Sequence, residues 1–177
     1  MSLIPCREPN CGCETTDALL GEVAKRFGGY IPNFHKVLAN STPVLEGFIR
    51  LHGALGNASL SGLDREVVAL EVSRRNACGY CSAAHSMAAK KQGLSSEDLD
   101  KLLAGKTVSS SRQALVQQAA KDILDNQGRL GRTQMALYEL AGLSQPMLME
   151  IVATIGLFTL ATLVNNMAET PVDPMFL

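Results

Sequence analysis

An all-helical fold is what this sequence predicts, and three observations carry the prediction. Ala, Leu and Val dominate a composition that has no Trp and only 5% aromatic residues, which suits packed helices better than sheets. Apolar residues recur at helical spacing between recognisable start and stop signals. No segment alternates apolar and polar residues convincingly enough to propose a strand. The 177 residues suit one domain with a core of its own.

Residues 1–13 carry two Pro, one Gly and the cysteines Cys6, Cys11 and Cys13, and predict an irregular, mobile leader. The helical bundle is expected over residues 14–177. A first helix over 16–27 lines up Leu19, Leu20, Val23 and Phe27, and Gly28-Gly29 stops it. After Ile31-Pro32, Asn33 is positioned to cap a short helix through Val37 and Leu38. Pro43 suits the first turn of a helix over 43–55 that buries Leu45, Phe48, Ile49 and either Leu51 or His52. Ser61 and Asp64 form a capping-box pair, and the helix they open is apolar on more than one face through Leu63, Val67, Val68, Leu70 and Val72.

The Asn76-Ala77-Cys78-Gly79 stretch predicts a bend, because Asn and Gly tolerate turn geometry. A second helix then starts at the cysteines, ends in the basic turn Lys90-Lys91 and stops at Gly93. Ser95 or Ser96 caps a short helix over Leu99, Leu102 and Leu103. Residues 105–111 form a polar linker. A helix over 112–126 follows, then one through Met135, Leu137, Tyr138 and Leu140. Ser144 and Pro146 open a long last helix reaching about Met167. The last helix is apolar nearly all round over 151–164, which predicts a central place in the fold or cover by another subunit.

The formal net charge is −1, with no basic stripe and no acidic run, so neither nucleic acid nor an anionic membrane is an expected partner. The apolar run over 151–164 is too short for a spanning segment. The first residues lack a basic region followed by an apolar run, so the expectation is a reducing cytoplasm. There a CxxC more often means redox chemistry or metal than a structural staple.

The chemistry concentrates between Glu66 and His85. Cys78, Cys81 and His85 are related by i, i+3 and i+7, which on one helix would form a stripe. A thiolate is the reactive form of cysteine, and a helix start lowers the thiol pKa. A neighbouring imidazole can move the proton. Glu66 lies off that stripe and joins it only if the chain bends at Asn76. The same residues leave two other readings open. C-x2-C-x3-H supplies three zinc ligands, with a fourth available only from the leader cysteines. Alternatively, two buried cysteines and a histidine simply fill a core. By itself Glu66 reads as a first-turn acid, although Asp64 could take that place and leave it free. His52 is expected on a helix surface or groove and His35 exposed beside Lys36. Tyr80 is placed to shape access to the sulfurs.

The pattern Glu66-x11-Cys78-x2-Cys81-x3-His85 resembles the alkylhydroperoxidase D core of the carboxymuconolactone decarboxylase-like superfamily. The flanking Leu70, Val72-Ser73 and Asn76 are similar as well. So are IPNFHKVLANSTPVLEGF and LSGLDREVV upstream and NNMAET near the end, which resemble its peroxidase-related branch. The resemblance implies an all-helical subunit in trimers, hexamers or related rings. It implies a thiol peroxidase for hydroperoxides, restored by a thiol or protein reductant, with no metal and no cofactor. Cys81 would attack, Cys78 would resolve, and His85 with Glu66 would relay protons through water. One position departs from the best-known pattern, which has a second His inside the CxxC where this chain has Tyr80. A thiol–disulfide oxidoreductase or redox sensor on the same scaffold is the next expectation. A lactone decarboxylase comes after it, because that branch lacks the CxxC.

Overall fold

In a computed structural model describing residues 2–10 and 12–177, the described residues form nine α-helices, one 3-10 turn and no strand. The helices are α1 (Glu14–Arg26), α2 (Asn33–Leu38), α3 (Thr42–Leu55), α4 (Gly62–Arg75), α5 (Gly79–Lys91), α6 (Ser96–Leu103), α7 (Ser111–Asp125), α8 (Arg132–Leu140) and α9 (Gln145–Ala168). The 3-10 turn covers Pro174–Phe176. The all-helical expectation holds, and the helix ends fall within a few residues of those read from caps and glycines.

The centre is α4, packed by α5, α6, α7 and α9. Val67, Val68, Ala69 and Leu70 are four consecutive residues with no exposed surface, which only a helix surrounded on all sides allows. Its capping box forms as expected. The Asp64 N–H donates to Ser61 Oγ at 3.0 Å, and the Ser61 N–H donates to Asp64 Oδ2 at 3.3 Å. Asp64 is also ion-paired with Arg112 at 2.9 Å, so Glu66 is free for another use. On α6 the cap is Ser95.

The helix α9 is long and apolar enough to cross a membrane by length and composition. Here it packs against α2, α3, α4, α5 and α7, with Leu148, Ile151 and Leu157 in the core. Its other face leaves Met149, Val152, Leu160, Leu163 and Met167 exposed. Leu51, one of the two alternatives expected to be buried on α3, is exposed, as are Leu137 and Leu140 on α8. In α8 only Tyr138 is buried, its hydroxyl held by Asp122.

Two local expectations are corrected. Asn33 does not cap α2; Pro32 holds the cap position, and Asn33 is the first helical residue. The cap comes from far away in the chain. The Asn33 N–H donates to both carboxylate oxygens of Asp173, at 3.1 Å each. Nor is the leader a free tail. The Leu3 N–H donates to Ala168 O at 2.7 Å, the Arg7 N–H to Lys36 O at 3.0 Å, and Asn40 Nδ2 to Pro5 O at 2.7 Å. These bonds lay the leader along α2 and the end of α9.

Candidate active site

The site begins at the bend between α4 and α5. The Cys78 N–H donates to Ser73 O at 2.9 Å and the Ala77 N–H to Arg74 O at 3.1 Å. This bonding is a Schellman closure of α4, with Ala77 in the left-handed region at φ 49°. The expected bend is present, but the strained position falls on Ala77 rather than on a glycine, at about 1 kcal/mol. Its neighbours hold it there. Asn76 Nδ2 donates to Thr162 Oγ1, and Asn166 Nδ2 donates to Asn76 O, both at 2.7 Å, so α9 braces the bend.

The turn leaves Cys78 at the cap position of α5, not within the helix. Its sulfur takes the place of a capping oxygen and accepts the Cys81 N–H at 3.3 Å. The expected stripe therefore splits. Cys81 and His85 line one cavity, while Cys78 lies behind Cys81, 1% exposed and outside the lining. The two thiols share a hydrogen bond in which Cys81 is the donor. That bond pulls the Cys78 thiol down to about 7, helped by the Cys81 N–H against the cost of burial. The same bond, with burial, pushes the Cys81 thiol up. Where the pair is ionised, its negative charge rests on the inner sulfur.

Folding α5 back on α4 brings Glu66 to His85. Glu66 Oε2 lies 2.7 Å from His85 Nδ1, a direct contact where a water-bridged one was expected. A carboxylate at Nδ1 fixes the tautomer and leaves Nε2 free for a partner in the cavity. The edge of Phe158 meets the ring at a centroid distance of 4.4 Å and limits its rotation.

The cavity measures about 220 Å³ and is walled largely by apolar groups, among them Phe34, Phe48, Ile49, Phe158 and Phe176. A dry apolar cavity of ~150 Å³ holds benzene, so this one can take a small organic molecule. Tyr80 is in its wall, as expected, but is not a proton donor to the sulfurs. Its hydroxyl donates to Asp173 Oδ2 at 2.5 Å and accepts the Phe34 N–H at 3.2 Å. Burial and the Asp173 bond push the phenol far above its usual range. Tyr30 donates to the other oxygen of the fully buried Asp173 and is raised to about 12 by that bond.

Sequence reasoning missed Asn165 and misplaced His35. Asn165 Nδ2 donates to Cys81 Sγ at 3.2 Å. The available signal was the polar pair Asn165-Asn166 at the end of an otherwise apolar helix. His35 is not exposed beside Lys36. It lines the cavity between Phe27, Phe34 and Phe48, and its Nδ1 is buried without a partner. Desolvation, then the nearby His52 and Arg26, lowers its pKa to about 3. His52 is exposed on α3, as expected, at the edge of the same cavity.

A consequence for stability follows. His35 takes up a proton near pH 6.5 in the unfolded chain but only near pH 3 in the folded one. Its neutral form therefore stabilises the fold above pH 6.5, and that contribution is lost as pH falls from 6.5 toward 3. The ring keeps some surface open to the cavity, where solvent screens it, so the loss is about 2–4 kcal/mol rather than the full linkage value. Urea midpoints should fall between pH 7.5 and 5 and fall less in His35→Gln. Equal slopes for the two proteins would contradict this.

Of the leader cysteines, Cys6 is half-buried and raised by desolvation, and Cys13 is exposed at the start of α1 with its thiol lowered by the Thr16 hydroxyl. Cys11 lies outside the described residues. Among the described residues no group of three or more His, Cys, Asp or Glu side chains is placed to hold a metal ion.

Comparison with known proteins agrees with this architecture. Residues 42–121 match the carboxymuconolactone decarboxylase family, a span that contains Glu66, both site cysteines and His85. Over that span the chain is similar to this family. Its fold is shared over nearly its whole length with solved structures. An alkylhydroperoxidase D core protein from Ralstonia eutropha JMP134, described as peroxidase-related, superposes with a TM-score of 0.87 at 20% identity, covering 99% of this chain and 94% of that one. A peroxidase-related protein from Silicibacter sp. TM1040 gives 0.81 at 19% identity, covering 99% and 93%. The debrominase Bmp8, bound to 2,3,4-tribromopyrrole, gives 0.75 at 12% identity, covering 99% and 96%. No curated protein matches the sequence.

Proposed function

We propose that the protein reduces organic hydroperoxides through Cys81, with Cys78 as the resolving thiol. The observation that supports it best is the placement of Cys81 in the same apolar cavity as a His85 whose Nδ1 is held by Glu66. His85 takes the Cys81 proton, and the freed thiolate attacks the terminal oxygen of the substrate. The O–O bond breaks, sulfur is oxidised to the sulfenic acid, and the alkoxide leaves with the proton from His85. The Cys78 thiolate then attacks Cys81 Sγ, a disulfide forms, and hydroxide leaves to be protonated by solvent. The net change is one hydroperoxide and two thiols to one alcohol, one water and one disulfide. A thiol or protein reductant, in a reducing cytoplasmic compartment, restores the pair.

Anaerobic titration of the reduced protein with cumene hydroperoxide tests the reading. One equivalent should remove two thiols, and peptide mass spectrometry should find Cys78 linked to Cys81. Unchanged thiols at excess hydroperoxide would overturn it. A second reading, reductive dehalogenation of a ring, draws on the aromatic cavity walls and on the shared fold with Bmp8. It requires bromide release from a bromopyrrole, coupled to the same disulfide.

The exposed row Met149, Val152, Leu160, Leu163 and Met167 on α9 is the face we assign to contacts between subunits of a homo-oligomer, a trimer, hexamer or related ring. Size-exclusion chromatography with light scattering should give a mass above 18.9 kDa. A monomer at micromolar concentration would contradict it.

A further inference from the structure

Asn165 is 3% exposed, near the end of the largely apolar α9, and it reaches into the cavity wall beside Cys81. Its amide is used on one side only. Nδ2 donates to Cys81 Sγ at 3.2 Å, while Oδ1 is sealed from solvent and has no hydrogen-bond partner. A buried carbonyl without a donor is costly, so the resting state carries an unmet demand. Turning the amide over would not relieve it. A carbonyl oxygen would then face the lone pairs of Cys81 Sγ, whose proton is already given to Cys78, and the two donors of the NH₂ would be orphaned instead.

The unmet acceptor sits one amide width from the donor that touches the sulfur. Chemistry at that sulfur supplies what it lacks. Attack on a hydroperoxide transfers an O–H group to Cys81 Sγ, and the O–H of a sulfenic acid is a hydrogen-bond donor close to Oδ1. Starting from the hydroperoxide reading above, we propose that Asn165 is a catalytic residue that holds the reacting S–O–H unit from both ends. Nδ2 donates to the thiolate before attack, and Oδ1 accepts the O–H of the oxygen as it is transferred. The step is the one already balanced: the S–O bond forms, the O–O bond breaks, sulfur loses two electrons, and the transferred oxygen keeps its proton. The alkoxide receives its proton from His85. The clamp therefore selects substrates whose terminal oxygen carries hydrogen, that is, hydroperoxides over dialkyl peroxides. It also stabilises the sulfenic acid until Cys78 arrives.

The two halves of the amide can be separated by experiment. In a Cys78→Ser background, Cys81 is alkylated with iodoacetamide and, separately, oxidised with cumene hydroperoxide, each followed by mass spectrometry of its peptide. Alkylation needs only the thiolate, hence only Nδ2. Oxidation uses both ends. Asn165→Leu should slow alkylation by roughly 10-fold and oxidation by roughly 10²–10³, the range for a lost transition-state hydrogen bond. It should also shorten the lifetime of the sulfenic acid, read as a smaller dimedone-trapped fraction. Asn165→Ala gives the same comparison with a void in place of a longer side chain, in case Leu prevents folding. Equal losses in the two reactions would reduce Asn165 to a support for the thiolate and overturn the clamp, and so would no loss in either. If the Cys78→Ser parent, with Asn165 intact, forms no sulfenic acid, the hydroperoxide reading fails first.

Discussion

Cys81→Ser should lose all reaction with hydroperoxide, while Cys78→Ser should react once and stop. The resting charge points the other way, since Cys78 is the thiol lowered to about 7 and Cys81 is the one raised. Charge does not decide the matter, because both thiols are buried and only Cys81 lines the cavity. A substrate must touch the sulfur it oxidises, and only Cys81 is placed to be touched. The lowered Cys78 thiol suits its later task, attack on an oxidised neighbour, for which the best attacking thiol has a pKa near ambient pH. Rapid-mixing kinetics with one equivalent of cumene hydroperoxide should show no fast phase in Cys81→Ser and a single fast phase in Cys78→Ser.

Replacing His85 by Ala, or Glu66 by Gln, should slow that fast phase by about 10²–10⁴, the range for a lost acid–base group. The carboxylate touches Nδ1 directly, at 2.7 Å, so Glu66→Gln removes the charge that stabilises a protonated imidazole while keeping a neutral hydrogen bond. His85→Ala removes both the acceptor for the Cys81 proton and the donor to the leaving alkoxide. The double variant should be little slower than His85→Ala alone, because Glu66 acts through the imidazole. A multiplicative loss in the double variant would mean that Glu66 works independently of His85. Far-UV circular dichroism checks that both variants keep their helices.

The fold was legible where its determinants are local. Caps such as Ser61 and Ser95, stops such as Gly93, and the apolar run of α4 are each written within one turn of the place where they act. The spacing from Glu66 to His85 was legible too, because a bend at Asn76 was the only way for those residues to meet. What escaped depends on partners distant in sequence. Asp173 caps α2 and binds Tyr80 from 140 and 93 positions away, and no local pattern announces that. His35 looked exposed because Lys36 follows it, yet consecutive helical residues point about 100° apart, and Phe34, Phe48 and Phe27 close over it. Cys78 looked like a helical residue by its spacing to Cys81. The positive φ at Ala77 turns it into a cap, which is why the three-residue stripe became two residues facing the cavity and one behind.

The most direct test of Cys81 as the attacking sulfur is dimedone trapping during a single turnover in the two Cys→Ser variants. With one equivalent of cumene hydroperoxide, the adduct should appear on the Cys81 peptide of Cys78→Ser, and no adduct should appear on Cys78 in Cys81→Ser. An adduct on Cys78 in Cys81→Ser, with none on Cys81 in Cys78→Ser, would reverse the assignment and contradict the account.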